Sequence, residues 1–152
     1  MPFPPPGFFE AMAEAVDAEP DRFRHLGIAS LRLCVLVEHP DGSSTAYGLV
    51  LDGDDVLPLG QVVASAFGPE VTVRGPEEAW AAMVADAAAH GAASGSQTLN
   101  ALTLAGFPLA VEAEDPLGRD KFFRYAQTLQ ELFDAAATRT ADAQGLSRPS
   151  VA

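Results

Sequence analysis

The hydrophobic period of the chain changes sharply near residue 28, and this change constrains the fold more than any other feature. Between Phe9 and Val16, apolar residues recur at the spacing of an amphipathic helix, which Pro20 interrupts. From Ile28 to Glu38 they alternate instead, which is the period of a strand with one apolar face. A helix and a strand that each carry one apolar face can bury them against each other, so the pattern predicts an α+β fold.

The segments after this strand are typical of a meander. Pro40 to Ser43 has the proline and glycine of a tight turn, and Thr45 to Asp52 has the composition of a returning strand. Gly53 to Asp55 turns the chain again into Val56 to Phe67, which we interpret as a third strand. The predicted sheet therefore begins with three antiparallel strands.

The second half of the chain alternates between the two periods. Gly75-Pro76-Glu77-Glu78 places proline and two acids where a helix begins, which suits the free amides and the positive end of a helix. The other predicted elements are a strand at Glu70 to Arg74, this helix to about His90, a helix at Thr98 to Ala105, an edge strand at Gly106 to Glu112 and a helix from Leu117 to about Ala137. We expect an antiparallel or mixed sheet of about five strands, meander first, covered by helices.

The length of 152 residues suits one domain. We expect an extended proline-rich arm at residues 1–7, a single domain at residues 8–137 and a disordered tail at residues 138–152, where the periodicity ends. The lone cysteine, Cys34, falls in the apolar strand pattern and is interpreted as a core residue.

The chain is acidic, with 21 aspartates and glutamates against 9 lysines and arginines and a formal net charge of −12. This charge would repel nucleic acids, and no polybasic cluster favours anionic lipids. No apolar run reaches the roughly 20 residues that cross a bilayer, and the proline-rich start does not have the pattern of a secretory signal. We expect a cytoplasmic protein that is not an integral membrane protein, with neutral, apolar or cationic partners.

The sequence lacks the common motifs of catalysis and cofactor binding. It has no Gly-x-Ser-x-Gly elbow, paired-histidine metal spacing, phosphate loop or dinucleotide fingerprint. His25, His39 and His90 are scattered over separate predicted elements. Asp52 to Asp55 could attract a divalent cation, but we interpret it as a hairpin turn. We expect no catalytic residues, no metal and no cofactor, and therefore a protein that is not an enzyme.

Two segments resemble a known family. Val71 to Trp80 is similar to its short strand leading into a helix with an acidic start, and Ala105 to Val111 is similar to its glycine-led last strand. Together with the element order from Phe8 to Ala137, they resemble the sterol carrier protein type 2 family and its sterol-binding domain. The sequence differs from that pattern at Glu112 to Pro116, where the family usually has a glycine with a polar partner.

This resemblance implies an apolar cavity between the sheet and the later helices. The implied function is non-catalytic binding, for carriage or presentation, of a sterol, a fatty acyl chain or an acyl thioester. The lining would come from large apolar residues on the facing elements: Trp80, Met83, Leu102, Phe107, Leu109, Phe122, Phe123, Leu129 and Phe133. Polar anchors would come from Gln97, Thr98, Asn100, Arg119 and Arg124.

Other functions stay open from the sequence alone. The small-residue loop Gly91 to Ser96 has little in its sequence to hold it still, so we expect it to gate the cavity. The arm from Phe3 to Phe9 could instead dock in a groove, which would make the protein a homodimer or an accessory subunit of a partner enzyme. A small hydrolase or isomerase is the third alternative, with acid catalysis among Glu112, Glu114 and Asp115 as one route.

Overall fold

Helices and strands follow each other nearly in the predicted order. The computed structural model describes residues 2–24 and 29–143. The helices are α1 (Phe8–Ala18), α2 (Pro20–Arg24), α3 (Ala64–Phe67), α4 (Glu77–His90), α5 (Leu99–Leu102), α6 (Pro116–Arg124) and α7 (Ala126–Ala143). The strands are β1 (Ala29–Glu38), β2 (Ser44–Gly53), β3 (Asp55–Gln61), β4 (Val71–Pro76) and β5 (Ala110–Glu112), and a 3-10 turn lies at Gly95–Gln97. His25 and residues 144–152 of the predicted tail lie outside the described residues.

The five strands form one mixed sheet in the order β3-β2-β1-β4-β5. The meander is confirmed, since β2 runs antiparallel to both β1 and β3. Strand β4 joins the other side of β1 in parallel, and β5 pairs antiparallel with β4 at the edge. Central strand β1 therefore has hydrogen-bonded neighbours on both sides, and the α+β prediction with about five strands is confirmed.

The core lies between one face of this sheet and the helices. The alternating residues Leu31, Leu33, Val35 and Val37 are at most 1% exposed, as the strand period predicts. Helix α7 packs against both α1 and α4, and α1 also contacts β3. Within the described residues, no helix combines the length and apolarity needed to cross a membrane.

The predicted third strand, Val56 to Phe67, is too long. Strand β3 ends at Gln61, and residues 64–67 turn into the short helix α3. Gly60 has a φ of 69°, a left-handed conformation that breaks regular pairing, and the β2–β3 register shifts between Gly48 and Leu49. Phe67 then packs directly over Gly48, where a Cβ would lie 3.0 Å from its ring, a contact tighter than side chains usually make.

The C-terminal half needs four more corrections. The helix predicted at Thr98 to Ala105 shortens to α5, and the strand predicted from Gly106 begins only at Ala110. The single helix predicted at Leu117 to Ala137 is two helices separated at Tyr125. Helix α7 also continues to Ala143, so residues 138–143 are not a disordered tail. Thr140 and Ala141 are buried there, and this packing extends the helix beyond the point where the sequence loses its period.

Candidate apolar ligand site

An aromatic cluster lies where α1, α4 and α7 meet. It consists of Phe3, Phe8, Phe9, Trp80 and Phe133, all at most 4% exposed. Trp80 lies between two stacked neighbours, with ring centroids 5.5 Å from Phe3 and 5.8 Å from Phe133. Phe8 and Phe9 complete the cluster with edge-on and tilted contacts. Stacked and edge-to-face pairs of this kind add stability beyond the apolar area they bury.

The N-terminal segment, residues 2–7, is part of this core and not a free arm. Phe3 is only 2% exposed, because its ring fills the space over Trp80. The segment enters the fold through side chains, since its four prolines have no amide hydrogen to donate. Within the described residues, no backbone hydrogen bond fixes residues 2–4, and the first such bond runs from Phe8 N to Pro5 O at 3.1 Å. The predicted division at residue 7 therefore does not separate the arm from the packed core.

Two buried polar atoms near this region have no hydrogen-bond partner among the described residues. They are the indole nitrogen Nε1 of Trp80 and the amide oxygen Oε1 of Gln97. The first can only donate and the second can only accept. The 3-10 turn that carries Gln97 packs against α4, which carries Trp80. An unpaired buried polar atom costs about 1–3 kcal/mol, so each is a position where a ligand atom would be stabilised.

The loop at residues 91–96 is fixed by two carboxylates, contrary to the expectation that little holds it. The amide of Ala93 donates to Oδ1 of Asp134 at 3.0 Å, and the amide of Ser94 donates to Oδ2 of Asp86 at 2.9 Å. Asp134 is 4% exposed on α7, and its burial raises the pKa of the carboxyl against the hydrogen bonds from Ala93 and Gln130. The sequence gives no local signal of this contact, because Asp134 lies 41 residues after Ala93.

The predicted lining residues divide into two groups. Seven lie together in the continuous core: Trp80, Met83, Leu102, Leu109, Phe122, Leu129 and Phe133. Two lie at the surface, because Phe107 is 50% exposed and Phe123 is 43% exposed. The ring of Phe123 packs edge-on against Phe122 and lies 5.2 Å from the Arg119 guanidinium.

Most of the predicted polar anchors have structural or surface positions. Thr98 caps α5 by accepting from the amide of Ala101, and Arg119 donates to the carbonyl of Val111 at 2.8 Å. Asn100 and Arg124 are exposed. Of the five, Gln97 is the one with a buried polar atom that no described residue satisfies.

An open pocket of ≈ 90 Å³ lies away from the aromatic cluster. Its apolar walls include Phe23, Leu51 and Leu132, and Asp54 and Asp55 of the β2–β3 turn stand at its rim. None of the predicted lining residues borders it. No group of three or more histidine, cysteine, aspartate or glutamate side chains within residues 2–24 and 29–143 could hold a metal ion.

Comparisons with known proteins bear on the fold. No protein-family model and no curated protein matches the sequence. Among solved structures, the chain is similar to the solution structure of a conserved hypothetical protein from Thermus thermophilus, described as "possibly sterol carrier protein". The two share 14% sequence identity with a TM-score of 0.59, over 97% of this chain and 92% of the other. This likeness confirms the predicted fold.

Proposed function

We propose that the protein binds an apolar small molecule on the aromatic cluster, in the space that Phe3 occupies in this structure. The observation that carries the proposal is the Phe3–Trp80 stack. Phe3 lies in residues 2–4, which no backbone hydrogen bond fixes, and it covers a buried indole whose N–H has no partner among the described residues. The similar fold of a possible sterol carrier protein supports an apolar ligand. A sterol, a fatty acyl ester or an acyl thioester has an apolar body that could stack on the rings. Each also has an oxygen that could accept a hydrogen bond from Nε1 of Trp80.

The dimensions favour a site that opens. The aromatic cluster is filled by its own rings, which are at most 4% exposed, whereas sites that enclose a ligand of this size measure roughly 300–1,000 Å³. Withdrawal of Phe3 would uncover the faces of Trp80 and Phe133 and extend the available space along α4 and α7. The N-terminal segment would then act as a displaceable plug.

Ligand binding competes with the contacts of Phe3. Burial of about 14 methylenes yields roughly 11 kcal/mol at ~0.8 kcal/mol each. Association opposes this with about 4 kcal/mol or more, and the loss of a buried phenylalanine opposes it with about 3–5 kcal/mol. The net affinity in the intact chain is therefore modest, and removal of the Phe3 ring should raise it about tenfold or more.

The charge of the protein favours a neutral ligand. At a net charge of −12, the surface repels carboxylates, so a neutral ester or sterol should bind more tightly than a free fatty acid of equal length. The alternative of an interaction module built on the arm stays a prediction, and Phe3 packs within its own chain in this structure.

The test uses Trp80, the single tryptophan, as its reporter. Methyl palmitate, palmitic acid and cholesterol are titrated separately into the protein while Trp80 fluorescence is followed. Native mass spectrometry counts bound molecules, and organic extraction identifies any ligand already present. We expect saturable binding, tighter for methyl palmitate than for palmitic acid, and stronger in Phe3→Ala than in the parent chain.

The exposed Pro2 supplies the matched control, since Pro2→Ala changes the same segment without changing the stack. Equal affinity in Phe3→Ala and Pro2→Ala would contradict the plug. No change in fluorescence and no extracted ligand in any of the three proteins would contradict apolar binding altogether.

A further inference from the structure

A hydroxyl, an imidazole and a carboxylate lie in line at one end of the sheet, on residues that the apolar site does not use. Nε2 of His39 lies 2.7 Å from Oγ1 of Thr45. Nδ1 of the same ring lies 3.5 Å from Oε2 of Glu77. The side chains of His39 and Glu77 are 25% and 22% exposed, so the group is partly shielded and still open to a small molecule.

The sheet register brings these three residues together. Val37 pairs with Thr45 on β2 and with Gly75 on β4, and His39 and Glu77 lie two residues beyond those pairs. The amide of His39 also donates to the carbonyl of Ser43 at 2.8 Å, which closes the β1–β2 turn. The strand pairing next to His39 and Thr45 and the start of α4 at Glu77 therefore set the position of the three side chains.

We propose that Thr45, His39 and Glu77 form a site that cleaves small neutral carboxylic esters. The geometry has the order of a nucleophile, a base and an orienting carboxylate. With the proton of Nδ1 directed to Glu77, the lone pair of Nε2 faces the Thr45 hydroxyl. Helix α4 begins at Glu77 without a side-chain cap, so its first-turn amides have no side-chain acceptor.

The chemistry balances without a cofactor. Oγ1 of Thr45 attacks the carbonyl carbon of the ester as Nε2 of His39 takes the hydroxyl proton. The tetrahedral adduct collapses, the C–O bond to the alcohol breaks, and His39 returns the proton to the leaving oxygen. Water then attacks the acyl-Thr45 ester with His39 as base, which releases the carboxylic acid and restores the hydroxyl. Glu77 is a positioning residue that stabilises the imidazolium.

Charge sets the substrate class. Asp41 on the turn interacts electrostatically with His39, and Glu77 and Glu78 lie in the first turn of α4. These carboxylates repel an anionic substrate and leave neutral esters as the suitable class. The proposal does not depend on the aromatic cluster, since a short water-soluble ester needs no apolar cavity.

The experiment measures hydrolysis of p-nitrophenyl butyrate by the full chain. We expect kcat/KM to fall about 100-fold in Thr45→Val and His39→Gln, and to be largely retained in Thr45→Ser. In Glu77→Gln we expect a smaller fall, in kcat and not in KM, because the imidazolium loses the carboxylate that orients it. Acid-quenched digests of the parent should contain the Thr45 peptide carrying one butyryl group.

His90 is the matched control, because its Nδ1 lies 3.1 Å from Oδ1 of Asp86, while its other ring nitrogen has no hydroxyl partner in the described residues. His90→Gln should hydrolyse the ester at the parental rate. Circular dichroism establishes that each variant is folded. Parental rates in folded Thr45→Val and His39→Gln would overturn the proposal. So would a parental rate no higher than that of equimolar imidazole, or the absence of an acylated Thr45 peptide, and neither of these depends on a variant folding.

Discussion

The N-terminal segment and the loop at residues 91–96 both pack against the helices of the core, but one is held by apolar contacts and the other by polar contacts. The segment is held by an apolar ring, with Phe3 stacked on Trp80 of α4. The loop is held by polar contacts from its amides to Asp134 of α7 and Asp86 of α4. Proline-rich and glycine-rich sequences therefore do not by themselves predict mobility, since a single distant partner can fix either one.

The difference also separates their functions. An aromatic plug can be replaced by another apolar molecule, because the hydrophobic contact is not directional. A buried amide–carboxylate pair cannot be exchanged for an apolar molecule, since the donor and the acceptor are both left without a hydrogen-bond partner when the pair opens. For this reason we propose displacement for the N-terminal segment and not for the loop. The predicted gate at Gly91 to Ser96 stays a prediction.

The largest expected effect on stability comes from removal of the Phe3 ring. Phe3→Ala should lower the free energy of unfolding by about 3–5 kcal/mol, as for other buried phenylalanines. Urea unfolding followed by Trp80 fluorescence and by circular dichroism measures the change. Pro2→Ala, at an exposed site, should stay near the parental value. A loss below about 1 kcal/mol in Phe3→Ala would mean that the ring contributes little to the fold.

Removal of the Asp134 carboxylate should have a smaller effect on stability. Asp134→Ala leaves Ala93 N and Gln130 Nε2 without their acceptor, which costs about 1–3 kcal/mol. Removal of the buried charge offsets part of this. Asp134→Asn keeps an oxygen acceptor, so hydrogen exchange at the Ala93 amide should accelerate in the alanine variant and stay slow in the asparagine variant. Equal protection in both would contradict the anchoring role.

The same carboxyl predicts a dependence on pH. Burial raises the pKa of Asp134 above its ordinary 3.8, so the folded state binds this proton more tightly than the unfolded state. The resulting stability is fully present below 3.8 and is lost as pH rises through the folded pKa. Asp134→Asn has no carboxyl to titrate and does not lose this stability. The free energy of unfolding of Asp134→Asn minus that of the parent should therefore rise as pH increases from 3.8 through the folded pKa, and stay constant above it. A difference independent of pH would contradict the raised pKa.

Glu70, the residue before β4, should respond to pH in the opposite direction. Burial acts to raise the pKa of Glu70, but hydrogen bonds from Lys121 and the Arg32 amide lower it overall, from an ordinary 4.5. Its contribution to stability is present above 4.5 and is lost as pH falls through the folded pKa. The free energy of unfolding of Glu70→Gln should therefore fall less steeply than that of the parent as pH decreases. Urea unfolding from neutral pH to about pH 3 measures this dependence.

The smallest effect is expected at the exposed end of the loop. Asp86→Ala removes the acceptor of the Ser94 amide at a site open to water, so the loss should be about 0.5 kcal/mol or less. Faster exchange at Ser94 without a change at Ala93 would show that the two contacts act separately. A loss as large as that of Asp134→Ala would contradict the distinction between exposed and buried anchors.

Much of the fold could be predicted because its signals are local. The alternation in β1, the turn at Pro40 to Ser43 and the acidic start of α4 each lie within a few neighbouring residues. The errors occurred where a local signal was weak. The one-turn helix α3, the break at Tyr125 and the last turns of α7 depend on packing against other elements.

The candidate sites were less predictable. Seven of the predicted lining residues do meet in one core, because an apolar stripe identifies a buried face. The stripe carries no information about what fills the space between faces. The proline-rich composition that predicts an extended arm at residues 1–7 gives no sign that Phe3 packs there. Phe107 and Phe123 show the same limit, since a large apolar side chain also occurs at the surface.

The sequence by itself determined the periods, and with them the helices, the meander and the face of each strand that is buried. Only the tertiary structure decided that β4 lies parallel to β1, that Phe3 covers Trp80 and that Glu77 reaches the imidazole of His39. The physical reason is distance along the chain. Hydrophobic periodicity is a property of neighbouring residues. Each of these contacts instead joins segments that lie tens of residues apart in the sequence. Only the packing of the whole chain selects among their possible partners.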